Sequence, residues 1–176
     1  DAKIQGLNWT DPIKWHMIGH IQSRKIKYIV KYFGYVHSID RMEIAEKLST
    51  ACMSASIRLP VLLEINIAGE ESKYGFIADS SGSNAHLIDQ IGGLVTLPGI
   101  ELRGIMCMPP LAEKPGINRK YFIHCRDLLF DLSQQLNLPG FNQLSMGTST
   151  DFEVAIEEGS NFVRIGEAIM GPRNYP

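Results

Sequence analysis

Strand-like and helix-like segments take turns from Trp15 to Ile165, and that alternation limits the available folds more than any single motif does. Trp15 to Gly19 reads as a short strand. A basic helix through about Phe33 follows, with Ile26, Ile29, Val30 and Phe33 as its apolar stripe and Gly34 as its stop. Tyr35 to Ile39 is the next strand, and Asp40 is placed to cap a helix on which Ile44, Ala45, Leu48, Ala51, Cys52 and Ala55 recur at helical spacing. Val61 to Ile67, rich in Leu and Ile, suits a strand buried on both faces. The polar loop from Ala68 to Gly82, with GEESKYGF at its centre, is a candidate lid. Then come a helix from about Asn84 to Leu94, a strand from Leu102 to Met106 and the longest helix, Asn118 to Leu136. Gln143 to Ser145, a helix from about Asp151, and Phe162 to Ile165 complete the series, and a short turn at Ala168 to Met170 follows. At the other end, Ala2 to Asn8 reads as a helix tail broken at Pro12.

Such alternation means a parallel sheet with crossover helices. No Gly-rich dinucleotide fingerprint follows a first strand, which argues against a Rossmann domain. A (β/α)-barrel is preferred, because candidate site residues recur at strand ends: His20, Ser38 with Asp40, Asn66, Met106, Ser145 and Arg164. A closed barrel takes about eight strands. The alternation supplies six, so two are expected ahead of Asp1. Six strands alone would leave two open edges, which invite association.

The 176 residues are enough for one domain with a real core. A net charge of −2 offers no broad basic surface for nucleic acid or anionic membrane. Cys52, Cys107 and Cys125 lack metal or disulfide spacing and point to a reducing, cytoplasmic setting. No apolar run is long enough to span a membrane, and no signal peptide is visible. The first residue is Asp1 rather than Met, so a true start upstream is expected.

The stretch from Leu144 to Gly166, LSMGTSTDFEVAIEEGSNFVRIG, concentrates the chemistry. Ser145, Gly147, Thr148, Ser149 and Thr150 crowd one loop. Thr150 with Glu153 has a capping-box pattern, so a helix should start there. Free backbone N–H groups at a helix start, with hydroxyls beside them, suit a phosphate. Phe152, Ala155 and Ile156 give that helix an apolar face, and Gly159 stops it. Arg164 then closes a buried strand, where a charge at the carboxyl end of a parallel strand belongs to a site. Read blandly, the loop is only a cap and Arg164 a surface ion pair. Their positions flanking one helix place them side by side and favour a site.

Four segments, in order, carry a resemblance: WHMIGHIQSRKIK, LLEINIAGEESKYGF, LRGIMCMPP and LSMGTSTDFEVAIEEGSNFVRIGEAIMG. Together they resemble the YggS/PROSC family of pyridoxal 5′-phosphate (PLP) homeostasis proteins over essentially the whole chain. That family is similar in fold to the N-terminal barrel of alanine racemase. The resemblance implies a PLP cradle built from the last two strand ends. In it Arg164 faces the pyridine nitrogen and keeps it unprotonated, which weakens the ring as an electron sink. Ser149 and the backbone N–H groups of Gly166 and Glu167 would hold the phosphate. Ser145, Met146 and Gly147 would shape the near wall. Many relatives carry a hydroxyl residue where this chain has Glu167, so a side-chain phosphate contact is lost and that carboxylate must point away.

The family's Schiff-base lysine lies on the first barrel strand, ahead of this sequence, and none of the lysines present matches it. Lys73 reads as a loop charge, and Lys25 and Lys27 as outer-helix charges. No catalytic residue and no metal ligand is assigned. His20 is site-adjacent or structural, His16 a core or interface residue, Asn66 and Glu64 hydrogen-bonding partners for a nearby loop, and Met106 and Met146 packing residues. Three functions stay open. The first is a non-catalytic PLP carrier that buffers the cofactor or delivers it to apoenzymes, monomeric when complete. The second is a racemase-like PLP enzyme, disfavoured because proton transfer on both faces needs an acid/base from a further domain. The third is a phosphate-binding barrel enzyme without PLP.

Overall fold

The computed structural model describes residues 13–78, 84–111 and 114–172. The proposed helix from Ala2 to Asn8 lies outside these residues. Seven strands form one parallel sheet: β1 (His16–Met17), β2 (Tyr35–Ile39), β3 (Leu59–Asn66), β4 (Phe76–Ile77), β5 (Ile100–Cys107), β6 (Gln143–Thr148) and β7 (Phe162–Arg164). The helices between them are α1 (Ile26–Tyr32), α2 (Met42–Ser54), α3 (Ala85–Val95), α4 (Arg119–Gln135), α5 (Phe152–Glu157) and α6 (Glu167–Met170). Strand order is β1-β2-β3-β5-β6-β7, with β4 paired to β3.

The sheet is strongly curled. Five strand spacings of about 4.8 Å would put β1 and β7 roughly 24 Å apart in a flat sheet. The rings of His16 on β1 and Phe162 on β7 are instead 5.7 Å apart. Among the described residues β1 pairs with β2 and β7 with β6, and no backbone pairing joins the two ends.

Alternation along the strands divides the apolar residues. Val61, Leu63 and Ile65 of β3 face the helices in the main core, with Ile44 and Leu48 of α2 and Leu128 and Leu132 of α4. Leu62 faces inward with Tyr35, Met106 and Phe162. Both faces of β3 are thus covered, as a parallel strand requires. β5 carries an irregularity: Val61 pairs with Leu102 and Leu62 with Gly104, so Arg103 is an extra residue. At that bulge Gly104 lies so close to β6 that a Cβ would fall 1.9 Å from the Gln143 carbonyl oxygen.

The proposed lid is partly sheet, since Ile65 and Asn66 pair with Phe76 and Ile77 of β4. Asn66 ties the intervening turn as expected: its Nδ2 donates to the Glu70 carbonyl at 2.8 Å, and Glu70 N–H donates to its Oδ1 at 3.1 Å. Residues 79–82 of that loop lie outside the described set. No described helix is long and apolar enough to cross a membrane.

Candidate functional site

The carboxyl ends of β5, β6 and β7 meet around Arg164. Its Nη1 donates to Ser145 Oγ at 2.8 Å and its Nη2 to the Cys107 carbonyl at 2.9 Å. Two of five guanidinium N–H groups are used this way, which leaves donors for a ligand. Burial lowers the Arg164 pKa, and Asp151 and Glu64 are among the neighbours that oppose this. An arginine starts so high that it stays cationic.

Ser145 is fully buried and carries the contact inward. His37 Nδ1 lies 2.9 Å from its Oγ, and His37 Nε2 lies 2.8 Å from His16 Nδ1. Both rings are wedged against Tyr35 and Phe162, with centroids 5.0–5.7 Å apart. Tyr35 donates its hydroxyl proton to Gln143 Oε1. Sequence reading passed over His37; its signal was a lone polar ring in the middle of the fully buried strand YVHSI.

Ser149 sits one loop away. Its Oγ accepts from the backbone N–H groups of Gly166 at 3.1 Å and Ala168 at 3.2 Å, where α6 begins. An oxygen already gathers two backbone donors there, the chemistry a phosphate oxygen needs. The N–H groups on Ser149 are those of Gly166 and Ala168; the Glu167 N–H, proposed with Gly166 for the phosphate, is not one of this pair. The Glu167 side chain is exposed. The loop carrying Ser149 is held by Asp151, which accepts from Thr148 N–H at 2.7 Å and from Asn118 Nδ2 at 2.8 Å. Asp151, not Thr150, is the cap residue of α5, so the capping-box reading fails. A carboxylate one residue later makes the turn and takes the helix start.

Of the proposed wall residues, Ser145 faces the cradle and Met146 does not. Met146 is buried in the helix-side core near Val154 and Ala155, one position out of phase with Ser145. Gly147 has φ +92, and a Cβ there would lie 2.6 Å from Ala155 Cβ, so α5 packs directly on the wall. His20 goes elsewhere: its Nδ1 lies 2.9 Å from Asp40 Oδ2 and its ring stacks on Tyr74 at 4.0 Å. Asp40 is also bound by Arg41 at 2.7 Å and caps no helix. Lys73 pairs with Glu70 at 2.5 Å and donates to the Met108 carbonyl at 3.2 Å. A cavity of about 860 Å³, lined by Arg41, Phe76, His86, Tyr121 and His124 among others, shares no residue with the cradle. The cradle is the candidate site because its donors converge. Among the described residues no cluster of His, Cys, Asp or Glu could hold a metal ion.

His37 and Glu64 are shifted by burial in opposite directions. Burial, then the neighbouring His16 and Arg164, pulls His37 from 6.5 down to about 4. Burial and then Asp40 push Glu64 from 4.5 up to about 7, against the pull of Arg164. The signs oppose. The unfolded chain binds a proton at His37 between pH 6.5 and 4 that the folded chain refuses, so acidification there removes stability. The folded chain keeps a proton on Glu64 that the unfolded chain has lost between pH 4.5 and 7, so stability present below 4.5 is lost as pH rises. The two contributions oppose each other and largely cancel where the windows overlap. Urea titrations should therefore give Glu64→Gln a more positive pH slope of stability than wild type, and His37→Asn a more negative one. Slopes of the same sign would contradict the assignment.

Comparison with known proteins places this geometry. The family described as alanine racemase, N-terminal domain, matches residues 8–174. The pyridoxal phosphate homeostasis protein of Pseudomonas aeruginosa is 40% identical over 164 residues, covering 93% of this chain and 66% of that protein. The protein of the same name from Aquifex aeolicus is 37% identical, over 98% of this chain and 72% of its own length. The chain thus spans about two thirds of the length of these curated relatives. Among solved structures, PipY of Synechococcus elongatus with PLP bound superposes with a TM-score of 0.81 at 25% identity, covering 97% of this chain and 74% of PipY. Alanine racemase of Clostridium difficile, at 18% identity and a TM-score of 0.63, shares the fold. This chain belongs to the pyridoxal phosphate homeostasis protein family, whose fold is that of the alanine racemase N-terminal domain.

Proposed function

We propose that this chain is a PLP-binding domain that buffers the cofactor in the cytoplasm and hands it to apoenzymes, without robust catalysis of its own. The observation that carries the reading is the pairing of two donor sets at adjoining strand ends. Arg164 presents free N–H groups beside Ser145, and Ser149 shares the backbone donors of Gly166 and Ala168. The donor chemistry fits the cofactor at both ends, a cation for the ring nitrogen and paired N–H groups for the phosphate. When bound, PLP supplies a reactive aldehyde and an electron-accepting ring.

The residues act as follows. Arg164 orients the ring and, being a permanent donor, holds no proton that it can give up to the ring nitrogen. Ser149 and the start of α6 bind the phosphate. Met106, Tyr35 and Phe162 close the interior beneath the ring and keep water out. Lysines with identified partners are engaged outside the cradle, Lys73 with Glu70 and Lys47 with Glu43. Within the described residues, the contacts the cradle offers a ligand are the polar ones of Arg164, Ser145 and Ser149. The names of the homeostasis relatives and the PLP-bound PipY support the same reading.

Absorbance titrations of the chain with PLP and with pyridoxal test it. Ser149→Ala should weaken PLP about tenfold, the effect of one good hydrogen bond to a charged group, and leave pyridoxal nearly unchanged. Equal losses for both ligands would remove Ser149 from the phosphate site.

A further inference from the structure

The direction of every hydrogen bond behind Arg164 follows from one fact, that a guanidinium only donates. Arg164 Nη1 gives a proton to Ser145 Oγ at 2.8 Å, so the single hydroxyl proton of Ser145 must point elsewhere. The partner within reach is His37 Nδ1, at 2.9 Å. That nitrogen must then be bare, and the ring proton sits on Nε2. His37 Nε2 in turn donates to His16 Nδ1 at 2.8 Å, so His16 also carries its proton on Nε2. The opposite order would leave the buried Ser145 hydroxyl proton without an acceptor, at a penalty of about 1–3 kcal/mol. Burial of His37, then His16 and Arg164, disfavour its protonated form and keep the chain in this order.

The relay is also clamped sideways. His37 packs on Tyr35 and on Phe162, each at 5.0 Å, and His16 stacks on Tyr35 at 5.1 Å with the planes 15° apart. With Nη1 fixed by Ser145 and Nη2 by the Cys107 carbonyl, the planar guanidinium keeps no freedom to turn.

We propose that His37 and His16 are positioning residues for Arg164: through Ser145 they lock the orientation of its free N–H groups and so restrict the site to a ring whose nitrogen arrives as an acceptor. This rests on the reading of the cradle as a PLP site. A protonated ring nitrogen would meet N–H groups with no acceptor among them. Arg164 can supply none, because a guanidinium carries donors alone.

The first test needs no ligand. Nitrogen-15 NMR of the histidine-labelled protein at pH 7 should show His37 with a bare Nδ1 and a protonated Nε2, and His16 in the same tautomer. A protonated His37 Nδ1 overturns the proposal. The second test uses binding. His37→Phe keeps a ring but removes both nitrogens, and should weaken PLP about tenfold while inorganic phosphate competes as in wild type. His37→Asn should restore most of the affinity, because its Oδ1 can accept from Ser145 where Nδ1 did. Unchanged PLP affinity in His37→Phe, or a loss that extends to phosphate and is not rescued by Asn, overturns the positioning role. A wild-type chain that binds phosphate but no PLP would sink the cofactor reading itself, a result distinct from any His37 effect.

Discussion

Arg164→Ala is expected to weaken PLP binding about a hundredfold and to leave the barrel folded. A hydrogen bond from a charged donor contributes roughly 1.5–3 kcal/mol, and each 1.4 kcal/mol is tenfold in affinity. The upper half of that range applies, because Arg164 is largely desolvated and its donors are already aligned by Ser145 and the Cys107 carbonyl. Stability should change little. Ser145 retains His37 as a partner. Removal of the cation also takes away the one neighbour that lowers the Glu64 pKa, so the Glu64 proton should be held to still higher pH. A circular-dichroism melt read beside the PLP titration checks this. Wholesale unfolding of the variant would make Arg164 a structural residue and dissolve the argument for a ring-nitrogen partner.

The largest loss of stability is expected at Gly104, well away from any ligand. A methyl group there would lie 1.9 Å from the Gln143 carbonyl oxygen and 2.7 Å from its carbonyl carbon and its amide nitrogen. Backbone does not yield as a flexible side chain does. Gly104→Ala must push β5 and β6 apart at the pair Gly104–Gln143, next to the Arg103 bulge that shifts the register of β5 against β3. A cost of about 3 kcal/mol or more is anticipated, a large share of the 5–15 kcal/mol that typically holds a domain together. The control is Gly92→Ala on α3, where a Cβ meets nothing within 4 Å. That change should be neutral or mildly stabilising, since alanine is the better helix former. Urea midpoints for the two variants decide the matter; similar midpoints would mean that the β5–β6 contact is softer than its geometry implies.

The sequence exposed the alternation because parallel strands covered on both faces need continuous apolar runs, and Tyr35–Ile39 and the core of β3 read clearly on that ground. β4 escaped notice because two residues inside a polar loop carry no periodicity. α5 was placed correctly but faced wrongly. Ile156 is 53% exposed, and Val154 takes the buried position. A helix of six residues has too few turns for its stripe to be read. At the site, Arg164, Ser145 and Ser149 were legible as polar groups at strand ends. For Met146 the packing reading holds, since the two-residue alternation of the strand turns its side chain into the main core. His37 was missed because one buried histidine resembles any other until its partners, 21 residues before it and 108 after it, are known.

Those separations bear on how the protein reaches its native state. The two ends of the sheet meet through side chains, His16 against Phe162, and the histidine relay behind Arg164 draws on residues from near both ends of the described chain. The strands from β1 to β6 can pair as they emerge during synthesis, but the two hydrogen bonds of Arg164 itself cannot close until β7 has arrived. Contacts of such long sequence separation form late and slowly. Ligand affinity therefore appears in one step at the end of folding, and a nascent or nicked chain has no partial grip on its ligand. In the cell, cofactor capture would serve as a proofreading signal that the whole barrel is in place, and the ligand, by binding only that state, would stabilise it by mass action.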